Sequence, residues 1–108
     1  MASVNILGTK YTIVIDKSLN NTSSDGLCKT YDKVISIRPI LNMLGAEDCF
    51  KSKEARFEEV IRHEITHAFF EEAGLIEYCS DERLVDWIAK QFPKMLKAMR
   101  KAGGIHYD

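Results

Sequence analysis

Apolar side chains at Phe57, Val60, Ile61, Ile65 and Ala68 recur at steps of three and four, the spacing of one helix face. Ser52 stands where an N-cap is expected, and Gly74 suits the position just past a helix end, so the pattern predicts a helix over 52–73. A second stripe, Leu84, Val85, Ile88, Ala89, Phe92, Met95, Leu96 and Met99, predicts another helix. Ser80 or Asp81 would cap it, Lys97, Arg100 and Lys101 suit its last turns, and Gly103-Gly104 would stop it. Pro93 falls inside this stripe, and its missing N–H predicts a kink or break near Phe92.

The first third of the chain has a shorter period. Val4–Leu7 and Thr9–Asp16 are rich in β-branched and aromatic residues and predict two strands around Gly8. Asn20–Gly26 is polar and reads as a loop. Gly26–Tyr31 predicts a further strand, turned by Asp32-Lys33 into Val34–Arg38, the clearest strand of the set. Pro39 ends it, and Ile40–Lys51 reads as a connection with one helical turn around Leu41–Leu44. The predicted fold is α+β: a small, mainly antiparallel sheet of three or four strands, then two helices. At 108 residues the chain predicts a single domain over 1–108.

Composition narrows the function classes. A net charge of −1 and the lack of a basic, aromatic-rich stripe argue against nucleic acid as a partner. No apolar run approaches the ~20 residues that cross a bilayer, and the N-terminus lacks a signal-peptide pattern. Cys28, Cys49 and Cys79 are an odd number at irregular spacing, which argues for a reducing compartment. The expectation is a cytoplasmic protein without a membrane or nucleic-acid partner. The pattern does not specify an oligomeric state.

The chemistry concentrates in His63-Glu64-Ile65-Thr66-His67 on the first helix. Two histidines four apart lie one above the other on a helix face, so both imidazoles reach one metal ion. Glu64 lies beside the first histidine, close enough to act as general base on a zinc-bound water without binding the metal. A catalytic zinc takes three protein ligands and keeps one position open. Glu82, near the start of the second helix, is the leading third ligand; His106 and Cys79 are the alternatives, and Asp81 reads as a cap. Asp86, one turn after Glu82, is placed to accept a hydrogen bond from the far nitrogen of a ligand histidine.

His63-Glu64-x-x-His67, followed by Glu82 and then Asp86 four residues on, resembles the gluzincin branch of the zinc metallopeptidases. The size and order of elements are similar to the minimal zinc peptidase-like proteins of phages and mobile elements. The similarity covers roughly Gly26 to Leu96. It implies His63, His67 and Glu82 as zinc ligands, Glu64 as general base, Asp86 as outer partner, and hydrolysis of peptide bonds in a protein or peptide substrate. Val34–Arg38 stands where such proteins carry the strand that flanks the site, which makes it the expected edge for a substrate chain. The chain lacks the domain that supplies a histidine and a tyrosine to stabilise the tetrahedral intermediate. Tyr78, Tyr107 and His106 match those two by residue type alone. A zinc-stabilised protein-interaction domain without useful catalysis is the competing expectation.

Overall fold

The structure, a computed structural model, describes Ala2 to His106; Tyr107 lies outside the described residues. Four strands come first: β1 (Ala2–Ile6), β2 (Thr9–Ile15), β3 (Gly26–Lys29) and β4 (Val34–Ile37). Three helices follow: α1 (Phe50–Glu72), the single turn α2 (Ile76–Cys79) and α3 (Glu82–Lys101). The fold is α+β, as the periodicities predict. No described helix is long and apolar enough to cross a membrane.

The sheet order is β1-β2-β4-β3. The two outer pairings are antiparallel, but β2 and β4 pair parallel, with Thr12 beside Val34 and Ile15 beside Ile37. β4 therefore lies inside the sheet, which corrects the expectation of a free edge along Val34–Arg38. The reason is burial. Ile35, Ser36, Ile37 and Arg38 are all buried, so the most apolar strand takes the position with neighbours on both sides. The edge next to it is β3.

α1 lays its stripe on this sheet. Val60 and Ala68 join Ile6, Tyr11, Ile35, Ile37 and Met43 in the core, and Phe57, Ile61 and Ile65 pack against it. Each such side chain fully removed from water stabilises the fold by about 1.5–3 kcal/mol. The helix begins two residues before Ser52, after Cys49, and Ser52 instead accepts a hydrogen bond from the Glu47 amide at 2.9 Å. At the other end the predicted cap holds. Gly74 adopts φ +77, its amide bonds Glu71 O, and the Leu75 amide bonds Phe70 O.

Glu72 ties the last turn of α1 to the sheet. Its carboxylate accepts from Thr9 Oγ1 at 2.7 Å, Tyr11 OH at 2.6 Å and Lys33 Nζ at 2.9 Å. Those donors, Lys33 first, lower its pKa from 4.5 to about 2. The folded carboxylate resists protonation, so its stabilising effect is complete above pH 4.5 and is lost as pH falls towards about 2. Urea titrations of the metal-free protein across that window should show stability falling with pH. Glu72→Gln should flatten the fall; an unchanged acid slope in the variant would exclude the linkage.

α3 runs unbroken through Pro93, so of the expected kink or break near Phe92 the break does not occur. The proline ring leaves the Ala89 carbonyl without its helical donor. Arg62 of α1 supplies one, its Nε donating to Ala89 O at 2.6 Å. Asp81 is the N-cap, accepting from the Leu84 amide at 3.1 Å.

Candidate metal centre

The turn after α1 and the α2 turn bring the start of α3 back over the histidine face. His63 Nε2 lies 3.1 Å from Glu82 Oε2, His67 Nε2 lies 2.9 Å from Glu82 Oε1, and the two Nε2 atoms are 3.2 Å apart. One ligand atom from each of the three residues falls within 4.8 Å of the others. Among the described residues these three form the one cluster of potential metal ligands. Neither of the other candidates joins it. His106 is exposed in the tail. Cys79 directs its thiol to the His67 carbonyl, Sγ to O 3.4 Å, and contributes its own carbonyl to His67 Nδ1 at 2.7 Å.

That last contact fixes which His67 ring nitrogen carries a hydrogen. A carbonyl only accepts, so Nδ1 carries the hydrogen and Nε2 of the neutral ring presents a lone pair. The lone pair faces a carboxylate oxygen, which is also an acceptor. Two acceptors at 2.9 Å repel unless a proton or a cation stands between them. The donor set of two imidazoles and a carboxylate fits zinc with one position left open. Burial first, and then the neighbouring His67, hold the His63 pKa below its usual value, although Glu82 and Asp86 oppose this. The neutral imidazole is the ligating form.

Asp86 lies one turn along α3, its Oδ1 3.7 Å from His63 Nδ1 and its Oδ2 2.9 Å from Lys90 Nζ. It stands at ion-pair distance from His63, beyond the reach of the hydrogen bond expected of it. The Lys90 hydrogen bond is the largest cause of its lowered pKa, against the effect of burial.

Glu64 is buried, 7% exposed, and points at β3. Burial first and then the Glu82 charge push its pKa up to about 7, while Arg56 and a hydrogen bond from the Cys28 amide pull the other way. The approach of helix and strand requires Gly26. A Cβ there would stand 2.6 Å from Val60 Cγ1 and 3.1 Å from Glu64 Oε2. A cleft of about 520 Å³ opens over His63, Glu64, His67 and Glu82, with Gly26, Leu27 and Cys28 of β3 along one wall. The flanking strand is thus β3, an edge strand, and not β4.

Two cleft residues were missed in the sequence. Arg56 precedes His63 by seven positions, two helical turns, so the spacing alone places it on the His63–His67 face. Asp25 lies in the polar loop, where no periodicity marks it. Of the residues considered for stabilising the intermediate, neither Tyr78 nor His106 lines the cleft, and Tyr78 instead packs on Phe70 with ring centroids 5.8 Å apart.

Comparisons with protein-family profiles, curated proteins and solved structures found no match to this chain.

Proposed function

We propose that this chain is a zinc-dependent metallopeptidase that hydrolyses peptide bonds in a protein or peptide substrate. The observation that carries the reading is the buried Glu64 carboxylate beside the His63, His67 and Glu82 donor set, at the floor of a cleft walled by an edge strand. Zinc, when bound, lowers the pKa of a water to about 7 and polarises a carbonyl. Glu64 takes the proton of the attacking water on its carboxylate and returns it to the leaving amine. Cys79, through its carbonyl, keeps the His67 ring aimed at the metal, and Asp86 faces His63 Nδ1 across 3.7 Å as its charged neighbour. β3 pairs with β4 on one side only, so an extended substrate segment adds to its other side as a further strand.

Metal content tests the site directly. Elemental analysis should find about one zinc per chain in the wild type, as a three-ligand catalytic site takes, and a strongly reduced content in Glu82→Ala. Asp86→Asn should retain the metal with affinity weakened roughly 10–100-fold. Full zinc retention in Glu82→Ala would remove Glu82 from the ligand set.

A second reading, a zinc-stabilised interaction domain without catalysis, is favoured by one observation: neither Tyr78 nor His106 lines the cleft to stabilise a tetrahedral intermediate. It predicts that zinc raises the unfolding temperature while Glu64→Gln changes no function.

A further inference from the structure

α3 is longer than the surface it covers. Its buried residues are Val85 and Ala89, both in its first half. Beyond Ala89 the helix continues to Lys101 with Phe92 48% and Met99 44% exposed. Beside it, α1 and α3 leave an apolar groove of about 510 Å³ lined by Ile65, Phe69, Phe70, Ile88 and Phe92, and Phe69 is itself 43% exposed. Phe69 and Phe92 thus form walls of the groove and are half-exposed themselves.

The sequence of α3 restricts what covers this surface. Val85, Ile88, Phe92, Met95 and Met99 follow steps of three, four, three and four, the seam of paired helices. The positions flanking the seam, Ala89, Gln91, Leu96 and Ala98, carry no charge. At about 100° per residue, the cations Lys90, Lys94, Lys97, Arg100 and Lys101 fall on the other side of the helix. Arg62, the cation in the groove lining, already gives its Nε to Ala89 O. An anionic ligand therefore finds its counter-charges turned away from the apolar face, whereas a second apolar helix meets none.

Charge along the helix sets the direction of pairing. No acidic residue occurs from Trp87 to His106, while Glu77 and Asp81 lie exposed around the start of α3. Antiparallel pairing brings the basic end of one helix to the acidic start of the other, and parallel pairing places like on like. Phe92 lies near the middle of α3, so a two-fold axis there sets each overhanging half along the groove of the other copy.

We propose that two copies of this chain associate through this face, α3 against α3 antiparallel about an axis at Phe92, with each overhang covering the groove of the other copy. The inference does not depend on the metal or on catalysis.

Sedimentation of the whole chain, with a chelator present and from micromolar to sub-millimolar concentration, tests it. The expected species has twice the 12.3 kDa chain mass. Phe92→Lys should weaken the dimer by at least about 100-fold, because two copies of the charge meet at the axis. Met99→Lys, at the end of the seam, serves as the second variant if Phe92→Lys loses its helical circular dichroism. Trp87→Lys, exposed on the other side of α3, should leave the dimer intact. A monomer at every concentration would overturn the proposal, as would a dimer indifferent to both seam substitutions. So would a monomer that binds phosphatidylcholine–phosphatidylglycerol vesicles through Phe92, which would assign the face to a membrane.

Discussion

Glu64→Gln is expected to slow peptide hydrolysis by roughly 10²–10⁴-fold, equivalent to about 3–5 kcal/mol of activation free energy, while the protein keeps its zinc and its fold. Glutamine preserves the size of the side chain and cannot take a proton. Glu64 stands outside the ligand cluster, so the metal should remain. The carboxylate is also poised for the role: burial and the Glu82 charge raise its pKa to about 7 in the metal-free protein. A zinc ion beside it favours the ionised form and draws that value down. Activity should therefore rise with pH along an acid limb lying below pH 7 and level off once Glu64 is ionised. Cleavage of a mixture of unstructured peptides, read by mass spectrometry, measures both effects. Full activity in Glu64→Gln would exclude it as the base. A wild type that holds zinc yet cleaves nothing would favour the interaction-domain reading.

How much of this site was legible in the sequence follows from how local each part is. His63, Glu64 and His67 share one helix, and the periodicity of that helix fixes which way they face. Glu82 and Asp86 were readable because they sit one turn apart behind a cap. Long-range pairing was not readable. The apolar character of Val34–Ile37 marked a strand, but not its insertion between β2 and β3, which turned the expected edge into the sheet interior. The unbroken α3 was hidden for a similar reason, since the donor that satisfies Ala89 comes from Arg62, in another helix. Ser52 has the chemistry of an N-cap, yet the loop before it claimed its hydroxyl.

Asp25 shows the same limit with a larger energetic consequence, and Asp25→Ala is expected to destabilise the fold by about 3–5 kcal/mol. Burial alone would raise its pKa, but the Leu44 and Gly45 amides at 2.9 and 3.0 Å and Arg56 Nε at 3.0 Å outweigh that and hold it ionised. The charge also answers Arg38, 2% exposed, whose Nε faces Asp25 Oδ1 at 3.1 Å as an ion pair without hydrogen-bond alignment. Arg38 Nη2 is satisfied by the Thr22 and Ser24 carbonyls at 2.7 and 3.0 Å, which compensate hydrogen bonding but not charge. Removing Asp25 strands a buried cation and two amides at once. Against a typical total of about 5–15 kcal/mol, that is a large share. The double variant Asp25→Ala/Arg38→Met should recover part of the loss, because the stranded charge leaves with its partner. Urea midpoints of the two variants distinguish this from a simple packing defect, which would make the double variant worse than the single. Asp25 directly precedes Gly26, where β3 meets Glu64, so the single variant should also lower zinc affinity without touching a ligand. Glu64→Gln should show the converse, losing activity without lowering the midpoint, because the buried Glu64 carboxylate already costs stability wherever it is ionised.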